Sequence, residues 1–259
     1  MKKYRGKILL GLSLILLSLI IYYAHYYVFK DLHHILIFGF EHIAFIPIEV
    51  LLVSLIIEGF IEKREQAHIM EKLNTLIGLF FSQLGLDCLK SFVNADFGVE
   101  KISKEVIITN EWTEKDFKKI TKKIQSYEYN IDINKIDLQK LKDFLNSRRS
   151  FLMRMMQNSN LLEHETFTEL LKAVFHLQEE LNFRINVAEI KQKDKDHLEG
   201  DIKRVYELLA YEWIIYMKYL KEEYPYMFVT AMIHNPYDTR DEETIEESIK
   251  KANKKNKVY

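Results

Sequence analysis

The 259-residue chain contains one cysteine, Cys88, and few glycines (8) or prolines (3). A single cysteine excludes an intrachain disulfide, and it suits a reducing compartment for any soluble part. Scarce glycine and proline disfavour a turn-rich β architecture and favour long helices. The formal net charge is −1, so the overall charge gives no indication of a nucleic-acid partner.

Motifs that carry chemistry are also missing from the sequence. It has no Walker loop, dinucleotide fingerprint, nucleophile elbow or zinc-finger spacing. The stretch 130–141 superficially resembles a calcium loop, but Lys135 replaces the required glycine and Leu141 replaces the final glutamate. The sequence therefore identifies no catalytic residue and no cofactor, and it favours a role other than catalysis.

Two long apolar runs near the start of the chain are its clearest positive feature. They cover residues 8–29 and 35–60, and each is long enough to cross a hydrocarbon core of about 30 Å. The alternative for the first run is a cleaved secretory signal. That run is long for the apolar h-region of a signal peptide, however, and it ends in "YYAHYY" rather than in a small-x-small cleavage site, which favours a retained span.

Basic residues near the two runs predict how they are oriented. Only Lys30 lies in the short connection, whereas six basic residues flank the outer ends of the pair, and by the positive-inside rule both termini are cytoplasmic. The predicted location is the cell (inner) membrane, as a multi-pass protein in contact with the lipid bilayer. The six residues are Lys2, Lys3, Arg5, Lys7, Lys63 and Arg64.

Three polar residues, Glu41, His42 and Glu49, interrupt the second run. In a helix, His42 and Glu49 lie within about 20° of each other on one face, but about 10 Å apart along the axis. A carboxylate in mid-bilayer costs about 3 kcal/mol, so such a group must be protonated, paired, or turned towards protein or water. Water, Ser18 or His25 would supply the nearer contacts for Glu49. Two spans shield one face poorly, which predicts a homo-oligomer or a membrane partner protein.

Pro47 offers a simpler explanation of Glu49. A proline can kink one continuous span, or it can begin a new helix. In the second case Glu49 is a first-turn carboxylate, stabilised by the positive end of the helix dipole. The sequence leaves both alternatives open.

After residue 60 the chain becomes rich in charge, and its apolar residues recur at helical spacing. The predicted fold is all-α: an N-terminal transmembrane helical hairpin followed by a cytoplasmic helical bundle. The predicted divisions are the hairpin 1–60, a membrane-proximal stalk 61–93, a helical domain 94–235 and a flexible charged tail 236–259. Predicted helices cover 114–127, 137–157, 161–184 and 197–224, and one short extended piece covers 106–108.

Arg148 and Arg149 interrupt the apolar face of the predicted helix 137–157. Three explanations are open: a helix break near Asn146 and Ser147, pairing with acids of a neighbouring helix, or arginine stems lying on the core with their charged heads in water. The third is the preferred interpretation.

A helical bundle with acids and histidines invites a carboxylate-bridged di-metal site, which needs Glu-x-x-His on two helices. Only Glu65 and His68 have this spacing. Two further pairs lie one helical turn apart and are explained equally well as surface contacts. These pairs are His176 with Glu180 and His197 with Asp201.

The stretch 196–226 is dense in tyrosine and tryptophan, which suit interfaces because they bury large areas and keep a polar tip. An ordinary bundle core with aromatic edges is the preferred interpretation, but four residues are interface candidates. They are Trp213, Tyr216, Tyr224 and Tyr226.

The stretches "IPIEVLLVSLIIEGFIEKRE", "EKLNTLIGLFFSQLG" and "YPYMFVTAMIHNPYD" carry a family resemblance. The chain resembles uncharacterised prokaryotic two-span membrane proteins with a cytoplasmic helical domain. This resemblance implies the membrane topology and no activity.

Three functions are compatible with these features. The leading hypothesis is a membrane-anchored interaction or signalling module that works through helix contacts. The second is a subunit of an ion or proton pathway that uses Glu49, His42 and Glu41. The third is a metal-dependent enzyme whose site lies in the helical bundle.

Overall fold

The computed structural model describes residues 2–162, 164–187 and 190–255. Within those residues the protein is helical and contains no β-strand; one isolated antiparallel bridge joins Asp96 and Ile131. The predicted all-α fold is therefore confirmed. The described chain divides into two compact units, Met1–Ala67 and His68–Tyr259.

The first unit consists of helix α1, Lys2–Phe29, and the beginning of helix α2, Leu32–Phe80. Lys30 and Asp31 alone connect the two helices, which makes the connection shorter than the five residues expected. Lys30 adopts a left-handed φ of 49°, and the Asp31 carboxylate accepts a hydrogen bond from the backbone N–H of His34 at 3.0 Å. This N-terminal cap starts α2 three residues before the predicted run.

Helix α2 continues through Pro47 without a break. Of the two alternatives for this proline, a new helix beginning there is wrong. Glu49 consequently lies inside a helix, where the dipole of a helix start cannot stabilise it.

Helix α1 and the first part of α2 bury much less of their apolar surface than the rest of the described chain does. The stretches Gly11–Phe29 and Leu32–Ile61 are long and apolar enough to cross a membrane, and 0% of the residues in their most apolar windows are buried. A third stretch, Ile69–Ala95, meets the same length and composition criteria, but 50% of its window is buried.

The second unit buries a core of aliphatic and aromatic side chains. Aromatic rings from the end of α2 and from neighbouring elements lie at its centre. The ring centroids of Phe80 and Phe167 are 5.2 Å apart, and those of Phe81 and Trp213 are also 5.2 Å apart. Gly85 permits this packing, because a Cβ there would lie 2.7 Å from the Phe81 ring. The elements of the unit after α2 are a π-helical turn Phe81–Gly85, α3 Leu86–Ala95, α4 Glu100–Ser103, α5 Glu114–Ser126, a 3-10 turn Ile133–Lys135, α6 Leu138–Ser147, α7 Arg149–Met156, α8 Ser159–Leu162, α9 Glu165–Phe183, α10 Gln192–Glu223, α11 Pro225–Ile233 and α12 Glu242–Lys255.

Local signals in the sequence explain most of these boundaries. Thr113 and Asp116 form the expected capping box at the start of α5. Asp137 caps α6, and Pro225 occupies the first turn of α11, where its missing N–H costs nothing. The apolar stripes predicted for α9 and α10 are buried throughout. Their members are Phe167, Leu170, Val174, Leu177, Leu181, Leu198, Ile202, Val205, Leu209, Trp213, Tyr216 and Leu220.

The predicted single helix 137–157 is wrong, because the chain breaks at Arg148 into α6 and α7. Arg149 then donates to Gln178 Oε1 at 2.8 Å and forms an ion pair with Glu179 of α9. The first two explanations thus hold together for Arg149, whose charged head contacts Gln178 and Glu179 and is also partly exposed to water.

Two other predictions also differ from the structure. Residues 106–108 contain no strand, although Val106 and Ile108 are buried. The predicted flexible tail, 236–259, instead contains α12, and Tyr237 and Ile245 are buried at 1% and 3% exposure. Isolated apolar residues in a charged stretch gave too weak a period to indicate a helix.

Candidate functional sites

The intramembrane candidates Glu41, His42 and Glu49 all lie on α2 and are exposed in the single chain. Among the described residues, none of the three has a hydrogen-bond or ion-pair partner. The expected contact of His25 with Glu49 is not seen: the His25 ring lies 6.3 Å from the ring of His34 and 4.8 Å from that of Phe29. Within the single chain, Glu41 and Glu49 are therefore without a polar partner among the described residues.

A cluster of histidines and carboxylates lies on facing turns of α9 and α10. His176 and Glu180 occupy one face of α9, and His197 and Asp201 occupy the facing side of α10. His176 Nε2 lies 3.5 Å from Asp201 Oδ1, His197 Nε2 lies 3.5 Å from Asp201 Oδ2, and the same nitrogen lies 3.7 Å from Glu180 Oε2. The ligand atoms of His176, His197 and Asp201 all lie within 4.8 Å of one another. The structure thus brings together two pairs that were predicted separately, each as two possible metal ligands or as a surface contact.

Arg184 borders this cluster and holds one of its carboxylates. Its Nη1 donates to Glu180 Oε2 at 2.8 Å, and its Nη2 lies 3.7 Å from Asp194 Oδ1. The hydrogen bond from Arg184 is the main cause that lowers the pKa of Glu180. Glu180 is therefore ionised at neutral pH and oriented towards His197.

The remaining predicted pair, Glu65 and His68, is not part of this cluster. Glu65 is exposed, and the side chain of His68 lies outside the described residues. The double Glu-x-x-His motif of a di-metal site is not assembled from the described side chains.

The four aromatic interface candidates divide into two groups. Trp213 and Tyr216 are buried at 1% and 7% exposure, and they form the floor of an apolar groove of about 290 Å³. Tyr226 stands at its rim with 89% of its surface exposed, and Tyr224 is 40% exposed. A role for these residues in binding stays a prediction.

Sequence reasoning missed a buried carboxyl group, that of Glu212 on α10. It is 1% exposed and accepts a hydrogen bond from the Thr166 hydroxyl at the start of α9. Burial raises the pKa of Glu212, with the Thr166 bond and nearby His164 acting in the opposite direction. Glu212 lies three residues after Leu209 and seven after Val205, and only this spacing hinted that it lies on the buried face.

Comparison with known proteins places the chain in a family with the same two-part organisation. The profile described as "MJ1433, N-terminal helical domain" matches residues 2–61, and "Uncharacterized protein MJ1433, C-terminal helical domain" matches residues 69–233. The chain belongs to the MJ1433 family. Within this family, Uncharacterized protein MJ1433 of Methanocaldococcus jannaschii is 43% identical over 240 residues, covering 93% of this chain and 96% of that protein. No solved structure matches the chain.

The MJ1433 family assignment confirms the expected resemblance in its coarser form. The relatives are an uncharacterised family with N-terminal and C-terminal helical domains. Neither profile description names a membrane, a ligand or a reaction, so topology and activity stay predictions.

Proposed function

We propose that the protein is a membrane-anchored helical module that self-associates through its hairpin and presents the second unit in the cytoplasm. The observation that carries the proposal is the surface of α1 and α2. No residue in the most apolar window of α1 or of α2 is buried within the chain, although both helices contain long runs of leucine, isoleucine, valine and phenylalanine. An apolar surface of this length is unfavourable in water, so we expect lipid or another protein to cover it.

The polar residues of α2 support assembly with a second copy. Copies inserted in the same orientation place Glu49 of each chain at the same depth. Two carboxyl groups at the same depth are then within reach of a shared hydrogen bond, which lowers the cost of holding each polar group in the hydrocarbon region. His42 lies on the same face, so the contact extends over two turns.

Membrane insertion and orientation are tested by cysteine labelling of the full chain. In a Cys88→Ala background, His33→Cys marks the first turn of α2, next to the connection of the hairpin, and Thr239→Cys marks the exposed loop before α12. In right-side-out vesicles, an impermeant maleimide is expected to label His33→Cys directly and Thr239→Cys only after detergent is added. The opposite pattern, or release of the chain by carbonate washing, contradicts the proposal.

Self-association is tested by disulfide crosslinking at two positions of α2. Val53→Cys lies on the face of Glu49, whereas Leu51→Cys lies on the opposite face and serves as the matched control. Oxidation in native membranes is expected to crosslink Val53→Cys dimers, and Glu49→Leu is expected to reduce that yield. Equal yields at both positions, or capture of a different protein alone, contradict a homo-oligomer.

The ion-pathway hypothesis remains a second proposal because the same residues would serve it. In purified, reconstituted vesicles a pathway subunit would conduct protons or ions, and Glu49→Gln would abolish that flux. An interaction module shows no flux in either form, and Glu49→Gln changes its assembly instead.

A further inference from the structure

The cluster on α9 and α10 has the spacing of ligands around one ion rather than that of a hydrogen-bonded ion-pair network. Direct N–H···O hydrogen bonds measure about 2.7–3.2 Å. The three nitrogen–oxygen separations here are 3.5, 3.5 and 3.7 Å. Two ligands of a tetrahedral zinc ion, each about 2.0–2.1 Å from the metal, lie about 3.3 Å apart. Each histidine nitrogen therefore lies within a few tenths of an ångström of this ligand–ligand distance from an Asp201 oxygen, and the three ligand atoms all lie within 4.8 Å of one another.

A second observation concerns Asp201. Its side chain is only 14% exposed, and its Oδ2 atom is buried without a hydrogen-bond partner among the described residues. A buried carboxylate oxygen that accepts no hydrogen bond is costly, and His197 Nε2, at 3.5 Å, lies beyond the usual hydrogen-bond distance. A cation held between Asp201 and the two histidines would satisfy it.

The positions of the four residues on the two helices are also compatible with a cation site. Each helix contributes a histidine and a carboxylate one turn apart, so both project from the same face. The two histidines are half exposed, at 50% and 56%, which leaves a path for an ion from water. Arg184 fixes the Glu180 carboxylate from the outer side, as outer-shell donors commonly do around metal ligands.

We propose that His176, His197 and Asp201 bind a divalent transition-metal ion of the zinc class, with Glu180 at the border of the fourth position. Imidazole and carboxylate ligands together suit such ions, whereas calcium and magnesium prefer oxygen alone. The bound ion ties α9 to α10 and stabilises the second unit. Nothing in this assignment depends on the membrane hairpin or on self-association.

The test uses the full-length protein in detergent, purified with a tag that contains no histidine and treated with a chelator. Trp112 and Trp213 are the only tryptophans and both belong to the second unit, so tryptophan fluorescence reports its melting selectively. Addition of zinc is expected to raise the Tm, and equilibrium dialysis is expected to find one tightly bound zinc per chain. Magnesium at the same concentration is expected to leave the Tm unchanged.

Variants decide whether the cluster itself holds the ion. His197→Gln and Asp201→Asn are expected to melt like the chelated wild type and to lose both the bound zinc and the Tm rise. His234→Gln, an exposed histidine of the same unit outside the cluster, is expected to behave like the wild type. Glu180→Gln is expected to weaken binding by about 10–100-fold, as a change next to the ligands does.

Three results would overturn the site. One is a wild-type chain that takes up no zinc at stoichiometric concentration while its fluorescence shows it folded. Another is zinc uptake that persists undiminished in His197→Gln, which would assign the ion to residues outside the cluster. The third is a zinc-induced Tm rise in Asp201→Asn equal to that of the His234→Gln control.

Discussion

The stretches Leu32–Ile61 and Ile69–Ala95 are both long and apolar enough to span a membrane, yet they have different surroundings. In the first, no residue of the most apolar window is buried, whereas in the second half of the window is buried within the chain. In the second stretch the four charged residues are exposed, and most of the large apolar residues lie against the core. The charged residues are Glu71, Lys72, Asp87 and Lys90. Composition qualifies both stretches as spans, and only the distribution of polar residues around the helix separates a core helix from a membrane-facing one.

The largest effect is expected when the same type of substitution, leucine to alanine, is made once in each stretch. Leu84→Ala removes a side chain that is 0% exposed, whereas Leu52→Ala trims one that is 52% exposed in the hairpin. The first is expected to destabilise the second unit by about 2–5 kcal/mol, because it leaves a cavity. For a unit of this size each kcal/mol corresponds to about 2–4 °C in Tm, measured by tryptophan fluorescence in detergent.

Leu52→Ala is expected to leave that Tm unchanged and the chain in the membrane. A fall in Tm with Leu52→Ala as large as that with Leu84→Ala would mean that the hairpin and the core are not separate in their energetics.

The same contrast shows what could be predicted from the sequence. The apolar runs and the stripes of α9 and α10 were predictable because a helical period repeated over four or more turns identifies the buried face. The break at Arg148 was not, because two arginines on an apolar face have three explanations and only tertiary pairing with Glu179 decides among them. Helix α12 was missed because Ile245 and Tyr237 are single anchors in a charged stretch.

The candidate cluster was predictable in its members but not in its assembly. Each i, i+4 pair was visible in the sequence, because one helical turn separates its members. That His176 meets Asp201 depends on the relative register of α9 and α10. The register is set by core packing across the whole length of both helices, which no local spacing encodes.

A smaller effect is expected from adding one methyl group at two glycines of α2. A Cβ at Gly78 would lie 2.5 Å from the hydroxyl of Tyr216, whose ring stacks on Phe81, whereas a Cβ at Gly59 has nothing within 4 Å. Gly78→Ala is therefore expected to destabilise the second unit by about 1–3 kcal/mol. Melting followed by tryptophan fluorescence measures this difference.

Gly59→Ala is the matched control within the same helix, and it is expected to leave the Tm of the second unit unaltered. If Gly78→Ala instead raised the Tm, the close packing of α2 on α10 at Tyr216 would be refuted.

The smallest expected effect concerns a glutamate in each region of the molecule, one exposed in the hairpin and one buried in the second unit. Glu49 is exposed on α2, whereas Glu212 is enclosed in the second unit, where burial raises its pKa above the ordinary value of about 4.3. A raised pKa means that the folded state binds the proton more tightly than the unfolded state. The stabilisation from Glu212 is therefore fully present below the ordinary pKa and is lost as the pH rises through the raised value.

Glu212→Gln keeps an oxygen for the Thr166 hydroxyl and carries no charge at any pH. The Tm of the wild type relative to Glu212→Gln is expected to fall as the pH increases above about 4.3 and to level off once Glu212 is ionised in the folded state. Glu207→Gln, on the exposed side of α10, corrects for the titration of the other carboxylates, several of which have lowered pKa values and act in the opposite direction. If the Tm difference between the wild type and Glu212→Gln were the same at every pH, Glu212 would not be buried as the structure shows. The clearest difference between the glutamates of the two regions would then be lost.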